Sequence, residues 1–174
     1  MKSPTRRIAT DAMLAAMYVC LSYVSLSIGN SMKITLDSLP ILVAALLLGP
    51  LDGLAVGLTG SFLSQLLTYG LSATTILWIL PAGIRGLVVG LYAKSKGFAL
   101  SRPQLIFITT ASALLVTALN TFVMYLDSLI IGYPFAATLP TVFFRILSGV
   151  LIAVAFSFIL PPLLNALKKL TSGS

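Results

Sequence analysis

Long apolar runs separated by short polar segments dominate the pattern of this chain. A helix of about 20 apolar residues crosses a bilayer, and the runs predict six such helices. They lie at residues 8–28, 38–49, 51–69, 76–93, 104–127 and 140–167. The pattern therefore predicts an all-α integral membrane protein, a six-helix transmembrane bundle that forms a single domain over residues 1–174.

Two of these segments need separate interpretation. The second is short, because Pro40 and the Gly49-Pro50 pair are helix breakers. A short helix at bilayer depth is stable only where other protein segments enclose it. The first follows a basic N-terminus, as in a signal peptide. However, it is uncharged from Ala12 to Met32, which is spanning length, so we expect a retained transmembrane helix.

The composition agrees with a membrane protein and excludes several kinds of chemistry. The chain is 58% hydrophobic and 9% charged, with a mean hydropathy of +1.06, whereas soluble domains carry about 25% charged residues. It has no His or Glu, and Cys20 is its single cysteine. These absences exclude His-ligated metal sites, His-based triads and disulfides. We therefore expect no catalytic residues, no metal and no cofactor, hence no enzyme.

The basic residues predict the orientation of the bundle. Lys and Arg concentrate in cytoplasmic loops. Three clusters flank the predicted helices: Lys2, Arg6 and Arg7; Lys94, Lys96 and Arg102; Lys168 and Lys169. With six spans, all three fall on one side, and the opposite loops at 29–37, 70–75 and 128–139 carry only Lys33. Both termini are therefore expected in the cytoplasm.

Two arginines lie inside apolar segments. Arg85 and Arg145 interrupt the fourth and sixth predicted helices, and a cation at that depth costs a few kcal/mol. An anionic ligand is one explanation. Alternatively, Arg145 pairs with Asp127 or extends to the outer interface, and Arg85 binds backbone carbonyls that Pro81 leaves free.

Other polar residues fall in the same outer half of the predicted bundle. The spacing of Ser61, Gln65 and Thr68 places them on one helical face. We predict a pocket for a small organic anion, because the fork of an arginine binds both oxygens of a carboxylate. The candidate ligand-binding residues are Arg85, Asn120, Gln65, Arg145, Trp78, Lys33, Tyr69, Thr68 and Asp127.

Ordinary structural roles remain open for several of these candidates. The Ser61–Thr68 face can join helices through hydrogen bonds. Trp78 can belong to the aromatic belt at the membrane surface. Lys33 can pair with Asp37 in the same loop.

Small residues line one face of the first helix. Ala12 and Ala16 are four residues apart, and Ala9 extends their face toward the N-terminus. A small-xxx-small surface lets another helix approach closely. By spacing alone, packing within the bundle is favoured over contact with a partner.

These motifs together resemble those of the S components of group II energy-coupling factor (ECF) vitamin transporters. The resemblance covers about residues 8–168. It rests on the basic N-terminus, Ala12-x-x-x-Ala16, the run from Lys33 to Pro50, Gly53-Leu-Ala-Val-Gly57, and Leu80-Pro-Ala-Gly-Ile-Arg85-Gly-Leu. It implies a six-helix vitamin binder in the plasma membrane of a bacterium.

The resemblance also implies partners and a transport mechanism. The expected partners are a transmembrane coupling subunit and two ABC ATPases, which hydrolyse the ATP. The alanine motif, here Ala9, Ala12 and Ala16, would contact the coupling subunit. The vitamin would bind near the outer face and be delivered when the protein topples in the membrane.

The vitamin expected from the resemblance is pantothenate. The stretch from Leu77 to Gly90 is most similar to pantothenate-type members, and a carboxylate with hydroxyls and an amide suits Arg85, Asn120, Gln65 and Arg145. Folate, with two carboxylates, and pyridoxine or hydroxymethylpyrimidine are the alternatives. A different class of function is a scaffold protein of the cell envelope that transports nothing.

Overall fold

The protein is described here by a computed structural model, which covers residues 4–28 and 32–172. Six α-helices follow one another along the chain: α1 (Pro4–Tyr23), α2 (Ser38–Leu47), α3 (Pro50–Tyr69), α4 (Thr75–Ser95), α5 (Arg102–Ile131) and α6 (Leu139–Ser172). A short 3-10 helix, Phe135–Thr138, precedes α6. The helices correspond in number and order to the six predicted segments.

A β-hairpin between α1 and α2 was not predicted. Strands β1 (Ser25–Ile28) and β2 (Met32–Thr35) pair antiparallel, with Ser25 opposite Thr35 and Ser27 opposite Lys33. The predicted first helix, at 8–28, was therefore wrong at its end, since α1 stops at Tyr23. The hairpin lies against α6.

The short helix α2 forms the centre of the bundle. Every residue from Pro40 to Leu46 is buried, and α2 contacts α1, α3, α4 and α6. Its end has a clear cause. Gly49 adopts φ +127°, a conformation that favours glycine, and Pro50 occupies the first turn of α3. The prediction of a short helix enclosed by protein is therefore confirmed within the described residues.

Helices α3 and α4 pack backbone against backbone. A Cβ added to Gly53 would lie 2.7 Å from the Gly86 carbonyl oxygen, and one added to Gly90 would meet the backbone of Pro50. Small residues on both faces allow this close approach, as in membrane helix pairs generally. The contact fixes the rotation of α4 and hence the direction of its polar residues.

Contacts between helix ends show which ends lie together. Arg7 in α1 forms a salt bridge with Asp52 at the start of α3. The rings of Tyr92 in α4 and Phe107 in α5 lie 6.3 Å apart. Gly90, near the end of α4, lies against Pro50 at the start of α3. The starts of α1, α3 and α5 and the end of α4 therefore lie together. Arg6 and Arg7 are thus near the α4–α5 connection, which carries the second basic cluster; Lys2 and the side chains of Lys168 and Lys169 are outside the described part.

Within the described part of the chain, two helices are long and apolar enough to cross a membrane by themselves. They are α4 and α5, and α6 is a third if its two halves, Val142–Phe156 and Phe158–Leu167, form one span. These halves meet at 43°. Pro161 explains a bend here, because a proline inside a helix removes a hydrogen bond and its ring clashes with the carbonyl four residues earlier.

Candidate functional site

A polar cavity of about 220 Å³ lies in the half of the bundle that carries the hairpin. Five of the six helices contribute to its walls, α3 being the exception among the described lining residues. Its polar and aromatic lining consists of Tyr18, Asp37, Ser38, Trp78, Arg85, Thr117, Asn120, Arg145 and Ser148. The remaining lining residues have no polar side-chain atoms: Ile41, Pro81, Ala82, Ala113, Val116, Gly149 and Ile152.

Arg85 is the most deeply buried of the charged groups in this cavity. Its side chain is 5% exposed, and its Nη1 donates a hydrogen bond to Ser38 Oγ over 2.6 Å. The Ser38 hydroxyl in turn donates to Asp37 Oδ1 over 3.1 Å. A hydrogen-bonded chain thus joins α4 to the junction between the hairpin and α2. The alternative that Arg85 binds carbonyls freed by Pro81 finds no support, since its recorded partner is Ser38.

The second arginine of the cavity, Arg145, is half-buried on α6. The salt bridge found among the described residues joins Arg7 to Asp52, and neither residue lines the cavity. Among the described residues, neither Arg145 nor Arg85 forms an ion pair with a carboxylate, so the alternative of an Arg145–Asp127 pair finds no support. Two guanidinium groups face this cavity against the single carboxylate of Asp37.

Asp127 lies beside the cavity and outside its lining. It is 7% exposed and accepts hydrogen bonds from Trp78 Nε1 over 3.4 Å and from the Tyr133 hydroxyl over 3.0 Å. Desolvation and the hydrogen bond to Asp127 raise the pKa of the Tyr133 hydroxyl. Asp127 thus holds the Trp78 ring in place, so Trp78 has a structural partner in addition to the cavity it lines.

The structure brings four of the nine predicted ligand-binding residues to the cavity: Arg85, Asn120, Arg145 and Trp78. Gln65, Thr68 and Tyr69 lie on α3 and do not line it, and Tyr69 is 76% exposed. The Ser61 hydroxyl of the same face donates to the Ile79 carbonyl over 3.3 Å, so this serine joins α3 to α4. The Lys33 side chain lies outside the described residues.

Several lining residues were missed by the sequence analysis. Ser148 and Gly149 follow Arg145 by three and four residues, hence on the same helical face, and this spacing was a usable signal. Tyr18 and Ser38 had no such signal, because nothing in their segments indicates which face turns inward.

The predicted partner surface on α1 is open. Ala9, Ala12 and Ala16 are exposed, while the neighbouring Ala15 is buried at 5% exposure. Packing of these alanines within the bundle, which their spacing favoured, is therefore wrong for the described residues.

A family model described as "ECF-type riboflavin transporter, S component" matches residues 2–169. No curated protein matches the chain. A solved structure described as "Structure and mechanism of the S component of a bacterial ECF transporter" has a similar fold, with a TM-score of 0.63 and 23% identity over 94% of this chain and 98% of that one.

Proposed function

The chain belongs to the ECF-type riboflavin transporter S component family, and we propose that it is the vitamin-binding membrane subunit of an ECF-type importer. The match over residues 2–169 carries this proposal. The polar cavity supports it, since an enclosed site with a few convergent polar groups is typical of small-molecule binding. Transport is thus proposed to depend on ATP hydrolysis by partner ATPases.

Riboflavin is the first candidate ligand, because the matching family is named for it. Its ring system carries carbonyl oxygens and ring nitrogens that accept hydrogen bonds, and its ribityl chain carries hydroxyls. Arg85, Arg145 and Asn120 offer donors for these acceptors, and Trp78 offers an aromatic face.

A flavin requires more room than the polar cavity provides. The volume of the polar cavity, about 220 Å³, is below the range of about 300–1,000 Å³ that is usual for ligand pockets. An open apolar groove of about 500 Å³ lies next to it on the surface between α5 and α6, and Thr117 lines both. We propose that movement of this wall, where Thr117 meets Gly149, joins the cavity to the groove and accommodates the apolar end of the flavin ring.

Pantothenate remains the second candidate, although the comparisons do not support the pantothenate-type resemblance. Two guanidinium groups without carboxylate partners favour a ligand that carries a carboxylate. Pantothenate is also the smaller molecule and needs less expansion of the cavity.

The membrane arrangement is proposed on the same basis. The family and the apolar helices α4, α5 and α6 support a membrane location, and we propose that the chain crosses the bacterial plasma membrane six times with both termini in the cytoplasm. The proximity of Arg6 and Arg7 to the basic α4–α5 connection supports this orientation. The cavity then opens toward the outer face, and toppling on an ECF module would deliver the vitamin inward.

Ligand-dependent stability tests this proposal directly. The purified protein, in detergent, is heated with riboflavin, pantothenate, folate or pyridoxine. A specific ligand at a hundredfold excess over its Kd stabilises the folded state by about 2.7 kcal/mol, so the correct vitamin should raise Tm and the others should not. If no water-soluble vitamin shifts Tm, the alternative of an envelope scaffold is favoured instead.

A further inference from the structure

One edge of the Arg85 guanidinium is buried without a partner. Its Nε and Nη2 atoms are both inaccessible, and none of the described residues accepts a hydrogen bond from either. These two nitrogens share one edge of the planar group, where their N–H bonds point in nearly the same direction. Arg85 therefore has two nearly parallel N–H donors, on Nε and Nη2, that bind none of the described residues.

The third nitrogen of Arg85 fixes the orientation of this edge. Nη1 is bound to Ser38, whose hydroxyl is itself committed to Asp37. This chain restrains rotation of the guanidinium, and the side chain is 5% exposed. Leaving buried charged donors unsatisfied is costly. A ligand with acceptors for both nitrogens would remove that cost, and the widening of the cavity proposed above would give it access to them.

We propose that Arg85 determines ligand specificity by binding two adjacent, coplanar acceptor atoms through Nε and Nη2. This inference rests on the proposed function, because it assigns recognition chemistry to the same cavity. Arginine reads the adjacent O6 and N7 acceptors of guanine in the same bidentate manner. The ligand class is therefore a molecule with a planar two-acceptor edge.

Two sources provide this chemistry among the candidate vitamins. In a flavin ring, a carbonyl oxygen lies beside an unprotonated ring nitrogen, at the C4 carbonyl and N5 or at the C2 carbonyl and N1. In pantothenate, the two carboxylate oxygens form the pair. A lysine cannot bind either pair of acceptors in this two-point manner, because its ammonium group is a point charge without a planar fork.

The experiment compares vitamins with analogues that lack one acceptor, using the full-length protein. The probes are riboflavin against 1-deazariboflavin and 5-deazariboflavin, in which CH replaces a ring nitrogen, and pantothenate against pantothenol, in which an alcohol replaces the carboxylate. For the vitamin that binds, at least one analogue should bind about 10- to 100-fold more weakly. The analogue that binds more weakly than its vitamin identifies which ligand atoms accept the hydrogen bonds from Arg85.

The variant Arg85→Lys completes the test, with Arg102→Lys as its matched control at an exposed site outside the cavity. Arg85→Lys should bind vitamin and analogue equally, whereas Arg102→Lys should keep the discrimination of the wild type. Equal binding of vitamin and analogues by the wild type overturns the inference, and so does full discrimination by a folded Arg85→Lys. The wild-type arm does not depend on the folding of the variant.

These outcomes separate the inference from the proposed function. If the wild type binds a vitamin without discriminating its analogues, the proposed function stands and the inference fails. If it binds no vitamin of the panel, both fail.

Discussion

At the scale of single residues, Ser38 connects the buried arginine to the rest of the bundle. It accepts from Arg85 and donates to Asp37, and it begins α2. A hydroxyl is suited to this position because it accepts and donates at the same time. These hydrogen bonds connect α2, the enclosed helix, to α4 at the cavity wall.

Replacement of Ser38 by alanine tests the contribution of the Arg85–Ser38 hydrogen bond to stability. Ser38→Ala leaves Nη1 of Arg85 without its recorded acceptor, which should lower the free energy of unfolding of the ligand-free protein by about 1–3 kcal/mol. Thermal unfolding in detergent measures the change. Ser95→Ala is the control, because the Ser95 hydroxyl is exposed and bonds only to a backbone carbonyl of its own helix. Equal losses in both variants would contradict a special role for Ser38.

The sequence indicated part of this site and not the rest, for physical reasons. A polar or charged residue inside an apolar run is costly, so Arg85, Asn120 and Arg145 are conspicuous, and the structure brings them to one cavity. Gln65 and Thr68 were equally conspicuous, but they lie on α3, which contributes no described residue to the lining. The binding role of all these residues stays a prediction.

At the scale of elements, glycines determine how α3 and α4 meet. Gly53, Gly57 and Gly86 are buried, and each faces backbone atoms of the opposite helix. Because no side chain separates the two backbones, the pair has little freedom to rotate. Arg85, next to Gly86, is placed at the cavity by this packing.

Substitution at the crossing point should disrupt the pair. A Cβ at residue 86 would overlap the backbone of Gly53, and such overpacking costs about 1–3 kcal/mol or more. Gly86→Ala should therefore lower the thermal stability strongly. Gly149→Ala is the matched control, because its Cβ would meet only the Thr117 hydroxyl at 3.3 Å and alanine favours the helix by about 1 kcal/mol. The α3–α4 interpretation fails if both variants unfold at the same temperature.

The hairpin was missed although its sequence carried a signal. Ser25-Leu-Ser-Ile and Met32-Lys-Ile-Thr both alternate polar and apolar residues, which is the two-residue period of a strand. The absence of charge from Ala12 to Met32 outweighed this signal and predicted a longer helix. The end of α2 was predictable, because Gly49-Pro50 acts locally on the backbone, whereas strand pairing depends on a second segment.

At the scale of the whole molecule, α1 presents a surface that the bundle does not cover. Ile8 and Met13 are each 70% exposed, and Ala9, Ala12 and Ala16 on the same helix are exposed as well. Lipid can cover apolar side chains anywhere on a membrane protein. A row of alanines instead allows the close approach of another helix, so we propose that this face contacts the coupling subunit of the ECF module.

A larger side chain on this face should separate vitamin binding from transport. Because Ala12 is exposed, Ala12→Leu should change the stability of the isolated protein by no more than about 0.5 kcal/mol, and its Kd for the vitamin should not change. Co-purification with the coupling subunit and ATPases, and uptake of labelled vitamin, should be lost. Ala155→Leu is the control, since Ala155 is exposed on α6 and should retain both. Loss of vitamin binding in Ala12→Leu, or normal uptake, would show that this face does not bind the module.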